Sequence, residues 1–309
     1  MIAMVLGGTG FLGRHISEAF ARAGWDVVVV SRGPVTGELP ARRVRLDLAD
    51  ASVPTIAALI RAERPSVVVN AMGLVWKGQA EQMLAVNGTA VERIVDGVAT
   101  VPDRPHLVQI GSVREYGLVP RGQTIDAGTA LAPDHPYGRT KVVGSRAVLR
   151  AVELGRLSGT VIRMTNLIGP GAPIGSLVGS VAYQLQSAAR EQARAVIRTG
   201  SLSALRDFVD VRDTADAVLA AVEAEAIGEV INVGSGNTVA ARRPVQTLIE
   251  ISGVPTEFIE DTSQSPPGGE ETWHHVDIGP AARLLGWAPA RSLAESLRDL
   301  WNDMAPMRW

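Results

Sequence analysis

The stretch GGTGFLG, from Gly7 to Gly13, places four glycines within seven residues, directly after the apolar run of residues 1–6. A tight turn from a strand into a helix needs backbone angles that glycine adopts at little cost. Glycine also lets the backbone approach a phosphate, and a helix N-terminus offers free N–H groups and a positive dipole end. The spacing fits both G-x-x-G-x-x-G and G-x-G-x-x-G, so it predicts a dinucleotide-binding turn rather than an ordinary glycine-rich loop.

Strand and helix signals alternate around this turn over the first 165 residues. Short apolar runs predict strands at 1–6, 26–30, 44–46, 66–70, 106–110 and 159–163, and helical periodicity predicts helices at 11–23, 54–62, 81–99 and 136–154. This alternation predicts an α/β fold with a doubly wound parallel sheet. After residue 163 the pattern loosens. It predicts helices near 176–194, 212–224 and 293–304, a strand at 229–232 and a loop at 261–271.

Composition restricts the classes of function. The net charge is −2, hydrophobic residues make up 46%, and cysteine is absent. We therefore expect no disulfide, thiolate metal site or thiol catalysis, and no nucleic-acid partner. No apolar run approaches the roughly 20 residues of a membrane span. The N-terminus reads as a core strand rather than a cleavable signal. We expect a cytoplasmic globular protein with no membrane partner.

The end of the second strand bears on the choice of dinucleotide. An acidic residue for the ribose 2′-hydroxyl is expected there, but the chain reads Ser31-Arg32. An arginine can pair with a 2′-phosphate, so we expect NADP(H) to be preferred over NAD(H). NAD(H) is the alternative cofactor, and Arg32 could also be an ordinary solvated surface residue. Asp47, after the third strand, either meets the adenine or caps the next turn.

Three side chains suggest acid–base chemistry. Tyr137 and Lys141 lie four residues apart and therefore share one helix face. A nearby cation lowers the pKa of a phenol, and Lys141 is one of two lysines in a chain that otherwise uses arginine. Ser112 follows the fifth strand at the edge where open α/β sheets bind ligands, so its hydroxyl could bind a substrate oxygen or merely close a turn.

These motifs together resemble the extended short-chain dehydrogenase/reductase family, the group of sugar-nucleotide epimerases, dehydratases and reductases. The resemblance includes GGTGFLG, Ser112 followed by EYG, Tyr137-x-x-x-Lys141 and VNGT at 86–89. It continues through VIRMTNLIGPG (161–171), RDFVDVRDTADAV (206–218), VINVGSG (230–236) and ARLLGWAP (282–289). It therefore covers essentially the whole chain.

The resemblance implies roles for individual residues. Tyr137 would be the acid–base, Lys141 would hold the nicotinamide ribose and lower the tyrosine pKa, and Ser112 would bind the reacting oxygen. Asn166 and Arg206 would contact the substrate, Arg206 through a phosphate. The implied cofactor-binding residues are Gly7, Gly10, Phe11, Leu12, Gly13, Ser31, Arg32, Asp47, Leu48, Asn70, Ala71, Met72, Asn87, Tyr137 and Lys141. Asparagine is also common in turns, so the alternative for Asn87 and Asn166 is that each only stabilises a turn.

The resemblance also implies an organisation. A Rossmann domain would comprise residues 1–165 plus 207–235. A smaller, discontinuous C-terminal α/β substrate domain would comprise 166–206 plus 236–309. A homodimer would form through a four-helix bundle of the helices at 81–99 and 136–154.

Two departures from the family pattern narrow the expected reaction. Val113-Arg114 follows Ser112 where the family's dehydratases carry an acidic pair, so we expect no 4,6-dehydration. The stretch 264–277 lacks the second phosphate-binding arginine of the nucleotide-sugar enzymes. Either Arg242 or Arg243 replaces it or the substrate is not a nucleotide sugar. His274 and His275 are adjacent in this stretch and would face opposite ways in a strand, so we expect no metal site.

The leading hypothesis is an NADPH-dependent ketoreductase that acts on a nucleotide-activated 4-keto-6-deoxyhexose in deoxysugar, natural-product and antibiotic biosynthesis. The first alternative is a nucleotide-sugar 4-epimerase with tightly bound NAD, and the second is a reductase of a non-sugar ketone such as an aglycone. A cofactor-sensing or scaffold protein is the non-enzymatic alternative, but such proteins typically lose the tyrosine or the lysine.

Overall fold

A computed structural model describes residues 1–33, 40–75, 79–261 and 273–304. Apart from residue 261, the predicted loop at 261–271 lies outside the described residues. The strands are β1 Ile2–Leu6, β2 Asp26–Ser31, β3 Arg42–Arg45, β4 Val67–Asn70, β5 His106–Ser112, β6 Gly159–Met164, β7 Asn166–Ile168, β8 Ala195–Thr199, β9 Leu205–Asp210, β10 Val230–Val233, β11 Thr238–Ala240 and β12 Thr256–Glu260. The α-helices are α1 Phe11–Arg22, α2 Val53–Glu63, α3 Ala80–Leu84, α4 Ala90–Thr100, α5 Pro136–Glu153, α6 Leu177–Arg190, α7 Val211–Glu223, α8 Arg242–Ser252, α9 Gly279–Leu285 and α10 Leu293–Met304.

Seven strands form one parallel sheet in the order β10-β6-β5-β4-β1-β2-β3. The central strands β1 and β4 are buried on both faces, except for the half-buried Ile2 at the start of β1. The order reverses at β1, next to β4, which creates the crevice where open α/β sheets bind ligands. The predicted doubly wound α/β fold is confirmed.

Helices cover both faces of this sheet. One apolar cluster joins the sheet to α1, α7 and α9, and a second joins it to α2, α4 and α5. Alternate strand residues enter the two clusters, for example Val5 in the first and Met4 in the second. The periodicity in the sequence placed the ends of α1, α2, α5 and α7 within two residues, whereas α9 was not predicted.

The helix predicted at 81–99 differs from the prediction in one respect. It is not a continuous α-helix, because the five residues Ala85–Thr89 between α3 and α4 form a π-helical turn. A π turn inserts an extra residue and rotates the side chains that follow it. Here it contains Asn87, one of the predicted site residues. Apolar periodicity does not reveal so local a change of pitch.

A second, smaller unit lies after residue 165. It contains a three-stranded sheet in the order β11-β9-β7 and a parallel pair of β8 and β12. A third apolar cluster packs α6, α8 and α10 together. Several of these elements were not predicted, because their strands are short and pair with segments far away in sequence. The proposed domain boundaries remain a prediction.

In the part of the chain that the structure describes, no helix combines the length and the apolarity that a bilayer crossing requires.

Candidate active site

The glycine turn has the close packing that its spacing predicted. Gly7 has φ +74°, and its N–H donates to the Val30 carbonyl at 2.9 Å. A Cβ on Gly13 would lie 2.2 Å from the Gly7 carbonyl oxygen, so a side chain there would collide with the turn. Gly10 precedes α1 without a side-chain cap, which leaves the first N–H groups of Phe11 and Leu12 free of a capping side chain. The turn and the helix N-terminus therefore fit a pyrophosphate.

The chain after β4 lies directly against this turn. A Cβ on Gly7 would come within 3.1 Å of the Met72 backbone and 3.2 Å of Ala71. Asn70 is fully buried, donates from Nδ2 to Gln109 Oε1 at 2.8 Å, and accepts from the Met72 N–H at 3.2 Å. Its side chain thus fixes the shape of the loop, while Ala71 and Met72 are half-buried at the glycine turn.

The end of β2 carries exposed cations. Arg32 is exposed, and its carbonyl accepts a hydrogen bond from Arg45 Nε at 3.1 Å. Ser31 Oγ donates to the Gly33 carbonyl at 3.2 Å. Asp47 Oδ1 accepts from the Ala49 N–H at 3.0 Å, so this carboxylate closes a turn, and Leu48 beside it is buried. Arg45 was not predicted as a site residue, although the basic strand RRVR could have indicated it.

Asn87 in the π turn connects two parts of the site. Its Oδ1 accepts from the Leu74 N–H at 2.9 Å, and its Nδ2 donates to the Leu74 carbonyl at 3.1 Å and to Thr140 Oγ1 at 3.2 Å. Thr140 precedes Lys141 on α5. A Cβ on Gly144 would lie 2.4 Å from the Asn87 carbonyl, so α5 packs closely on the π turn. Asn87 therefore orders the loop after β4 and the helix that carries Lys141.

Ser112 and Tyr137 meet at the carboxyl end of β5. Ser112 is the last residue of β5, and Tyr137 lies in the first turn of α5. The Tyr137 hydroxyl is hydrogen-bonded to Ser112, and the tyrosine is 7% exposed. Burial raises the pKa of Tyr137 to about 12, although Ser112 and Arg114 act in the opposite direction. The phenol is therefore protonated at neutral pH.

Lys141 lies one helical turn after Tyr137 and is 2% exposed. Its Nζ donates to the Ile110 carbonyl at 2.5 Å. Burial lowers the pKa of Lys141 to about 8, while the carboxylate of Glu115 acts in the opposite direction. The cation that lowers the pKa of Tyr137 here is Arg114, and Lys141 is directed to the backbone of β5.

A buried ion pair between Glu115 and Arg163 holds the backbone of Ser112 in place. Glu115 is fully buried, and its Oε1 accepts from the Ser112 N–H and from Ser145 Oγ, each at 2.9 Å. Its Oε2 accepts from Arg163 Nε at 2.8 Å. Arg163 Nη1 in turn donates to the Tyr116 hydroxyl at 3.1 Å, and its guanidinium lies 4.8 Å from the Tyr116 ring centroid. An arginine inside the buried strand β6 was a signal in the sequence that a buried acid must be close.

The predicted substrate residues lie on the second sheet. Asn166 is half-buried on β7 and donates from Nδ2 to the Asp207 carbonyl at 2.8 Å. Arg206 on β9 is 9% exposed and donates from Nη1 to the Leu205 carbonyl at 3.3 Å. Arg242, considered for the diphosphate, donates from Nε to Glu260 Oε2 at 2.7 Å and already belongs to an ion pair.

The two adjacent histidines have different surroundings. His274 is fully buried, and burial together with two nearby arginines lowers its pKa to about 3. His275 is half-buried, and its Nδ1 lies 3.0 Å from Thr238 Oγ1. Among the described residues, no group of three or more potential metal-binding side chains comes together.

Comparison with known proteins gives the family. The NAD dependent epimerase/dehydratase family matches residues 3–234. A dTDP-6-deoxy-L-talose 4-dehydrogenase (NAD(P)(+)) from Kitasatospora kifunensis is 40% identical over 298 residues, which are 96% of this chain and 94% of that protein. The chain belongs to the NAD dependent epimerase/dehydratase family.

Solved structures of the family share the fold. RMD from Pseudomonas aeruginosa, complexed with NADPH, has a TM-score of 0.82 at 22% identity over 98% of both chains. UDP-glucose 4-epimerase from Thermotoga maritima, with UDP-glucose, has a TM-score of 0.83 at 23% identity over 98% of both chains. The predicted family is confirmed, and the protein is an NAD(P)-dependent enzyme of the extended short-chain dehydrogenase/reductase type with a nicotinamide cofactor.

Proposed function

We propose that the protein is an NADPH-dependent ketoreductase that acts on a nucleotide-activated 4-keto-6-deoxyhexose. The observation that carries this proposal is the protonated, buried Tyr137 hydroxyl in contact with Ser112. When bound, the nicotinamide would supply the hydride. Ser112 would hold the carbonyl oxygen, and Tyr137 would give it the proton. A phenol with a pKa of about 12 carries its proton at neutral pH, so it has the proton that a reduced carbonyl oxygen must receive.

The end of β2 supports the preference for NADP(H). Arg32 and Arg45 are both exposed there and lie close enough for one to bond the other's backbone. Two cations at the position of the ribose 2′-oxygen would bind a 2′-phosphate, and no acidic residue follows β2 directly to bind a 2′-hydroxyl. The name of the Kitasatospora relative includes both NAD and NADP, so the preference belongs to this proposal.

The substrate class rests on the relatives and on Arg206. The 40% identical protein acts on a dTDP-6-deoxyhexose at carbon 4, and a GDP-6-deoxy-D-mannose reductase of Pseudomonas aeruginosa is 24% identical over 97% of this chain. Arg206 supplies a cation for the phosphate of such a substrate. We infer from this chemistry a late, reductive step of deoxysugar and natural-product biosynthesis.

The direct test measures NADPH oxidation against a panel of nucleotide-bound 4-keto-6-deoxyhexoses and aromatic ketones. We expect turnover with at least one keto-sugar, and a loss of several orders of magnitude in kcat for Tyr137→Phe with unchanged NADPH affinity. Turnover with aromatic ketones alone would contradict the substrate class. Purified protein that carries NAD and interconverts nucleotide sugars without net reduction would indicate an epimerase.

The cofactor preference has its own test. Arg32→Asp should raise the ratio of NADH to NADPH activity, because a carboxylate binds a 2′-hydroxyl and repels a 2′-phosphate. Arg45→Ser should change the ratio in the same direction. Unchanged ratios of kcat/KM in both variants would contradict the role of this cationic pair.

The proposal includes a homodimer. The helices α3–α4 and α5 would pair with their copies in a four-helix bundle. Leu84 on α3 is 43% exposed, and Leu154 at the end of α5 is 55% exposed. Such side chains supply apolar area for an interface, and the pairing of these helices rests on family resemblance.

A further inference from the structure

The carboxylate of Glu115 connects the end of β5 to the middle of α5. Its Oε1 accepts hydrogen bonds from the Ser112 N–H, at the end of the strand, and from Ser145 Oγ, on the helix, each at 2.9 Å. All three residues are buried, Glu115 and Ser145 completely. One oxygen atom therefore holds both the strand that presents the Ser112 hydroxyl and the helix that packs beside it.

Ser145 lies on the face of α5 that also presents Tyr137 and Lys141. The three residues are spaced four apart along the helix, and all three are buried. Side chains with this spacing lie above one another on one helix face. The hydrogen bond from Ser145 to Glu115 therefore fixes the rotation of this face relative to β5.

The strand before Ser112 makes room for the carboxylate. A Cβ on Gly111 would lie 2.6 Å from Glu115 Oε1 and 3.0 Å from Arg163 Cγ, so a side chain there would displace the ion pair. Gly111 lies within β5 and does not have a positive φ, so its backbone conformation does not itself require glycine. The close approach of the carboxylate accounts for glycine at this position.

Arg163 on β6 binds the other oxygen of the carboxylate. Its Nε donates to Glu115 Oε2 at 2.8 Å, and its Nη1 donates to the Tyr116 hydroxyl at 3.1 Å. The guanidinium thus supplies a partner for the buried negative charge, which a carboxylate inside a protein requires. This arrangement leaves Oε1 to the two serines.

The same carboxylate acts electrostatically on the buried face of α5. Burial has the largest effect on Lys141 and lowers its pKa, whereas the charge of Glu115 raises it. Burial also raises the pKa of Tyr137 most, Glu115 adds to this rise, and Arg114 in the turn after β5 opposes it. Loss of the negative charge of Glu115 should therefore be detectable at Lys141, with the guanidinium of Arg163 then unpaired nearby.

We infer that Glu115 is a positioning residue of the reaction, whose carboxylate fixes the Ser112 hydroxyl relative to the face of α5 that presents Tyr137 and Lys141. This inference rests on the proposed function, since it assumes that these side chains act on a carbonyl substrate. Because Glu115 is fully buried, it acts through Ser112 and Ser145 rather than on a ligand. A displacement of about 1 Å among groups that must meet a substrate can reduce the rate about a hundredfold.

The first test is Ser145→Ala, which removes the hydrogen bond from α5 but keeps the Glu115–Arg163 pair and the Ser112 N–H bond. We expect kcat for reduction of the reactive nucleotide-bound keto-sugar to fall about ten- to hundredfold. The KM of the sugar and the Kd of NADPH should stay unchanged, because Ser145 is buried away from both ligands. Wild-type kcat in Ser145→Ala would overturn the inference and leave the proposed function standing.

Ser296→Ala is the matched control. Ser296 on α10 is also fully buried and hydrogen-bonded to a buried carboxylate, that of Asp210, which is likewise paired with an arginine. Ser296→Ala should lose about as much thermal stability as Ser145→Ala but keep the wild-type kcat. An equal fall of kcat in both variants would assign the effect to lost stability and overturn the positioning role.

The second test requires no substrate. The chain contains two lysines, so ¹³C,¹⁵N-lysine labelling gives two side-chain NMR signals, and Lys141→Arg assigns one of them. In Glu115→Gln the titration midpoint of Lys141 should move to lower pH, whereas Ser145→Ala, which keeps the charge, should leave it unchanged. Ser145→Ala keeps the inference testable if Glu115→Gln does not fold.

The two tests separate the inference from the proposed function. An unchanged Lys141 midpoint in folded Glu115→Gln would show that the carboxylate does not act on this face of α5 and would overturn the inference. A wild-type protein that reduces no carbonyl in the panel, but whose Lys141 midpoint falls in Glu115→Gln, would overturn the proposed function and support the contact of Glu115 with this face.

Discussion

At the scale of the residue, burial outweighs charge in the proposed acid–base group. The sequence led us to expect Lys141 to lower the pKa of Tyr137. The structure instead buries both side chains, which raises the pKa of the tyrosine to about 12 and lowers that of the lysine to about 8. Desolvation disfavours the charged form of either group, and this effect is the largest for both. Spacing in a helix shows that two side chains share a face but not how dry that face is.

The pKa of Lys141 leads to a prediction about pH. Because burial lowers this pKa, the ammonium is charged below about pH 8 and neutral above it. We expect kcat/KM for carbonyl reduction to be level below about pH 8 and to fall above it, as it reports ionisations of the free enzyme. Lys141→Arg should lower the absolute rate and abolish this fall, since arginine stays protonated. A fall at the same pH in Lys141→Arg would assign the ionisation to another group.

The buried ion pair between Glu115 and Arg163 leads to a prediction about stability. Glu115→Gln keeps the size and an acceptor for the Ser112 N–H but leaves Arg163 charged and unpaired in the interior. We expect the free energy of unfolding to fall by about 3–5 kcal/mol, measured by urea denaturation. The double variant Glu115→Gln/Arg163→Met no longer contains the unpaired guanidinium. Its free energy of unfolding should therefore be higher than that of Glu115→Gln alone.

Glu153→Gln is the control for Glu115→Gln, because the Arg150–Glu153 pair is exposed on the surface. It should leave stability unchanged within error. Equal stabilities of the two variants would show that the buried pair contributes no more than a surface pair.

At the scale of the element, the turn between β1 and α1 was the most predictable part of the chain. Its glycine spacing follows from contacts within seven residues, so the sequence contains all of the partners. The π turn at Ala85–Thr89 was not predictable in this way, because its reason is the packing of Asn87 and Gly88 against α5. The strands β8 and β12 were missed because each is stabilised mainly by the other, across more than 50 residues of chain.

The glycine turn leads to a prediction about cofactor binding. Gly13 lies inside α1, where alanine would be favoured over glycine by about 1 kcal/mol on helix propensity alone. In Gly13→Ala the new Cβ would lie 2.2 Å from the Gly7 carbonyl, so we expect lower thermal stability and greatly weakened NADPH binding. Gly200→Ala is the control, because nothing lies within 4 Å of a Cβ there. Normal NADPH affinity in Gly13→Ala would contradict the close fit.

At the scale of the whole molecule, two apolar clusters sandwich the main sheet and a third forms the core of the smaller unit. The candidate site lies where these units meet, since Ser112 ends a strand of the main sheet and Arg206 belongs to the smaller one. Asp207 helps to connect them, because its carboxylate accepts hydrogen bonds from Ser235 and Gly236 after β10. These hydrogen bonds therefore join β9 of the smaller unit to the end of β10 in the main sheet.

The proposed dimer leads to a prediction about assembly. Leu84→Asp should shift the sedimentation equilibrium from dimer to monomer, because a carboxylate would replace apolar area twice in a symmetric interface. Leu284→Asp on α9 is the control, with 48% exposure outside the proposed bundle, and it should sediment as the wild type does. A monomeric wild-type protein, or a dimer that persists in Leu84→Asp, would contradict the proposed interface.

The sequence by itself determined the parallel sheet, the dinucleotide turn and the trio of Ser112, Tyr137 and Lys141 as candidates. Each of these depends on short spacings or on periodicity, which remain visible in one dimension. Only the tertiary structure decided the protonation of the buried Tyr137 and Lys141 and the support of Ser112 by Glu115 and Arg163. These depend on desolvation and on contacts between distant segments, and both arise only when the chain folds on itself.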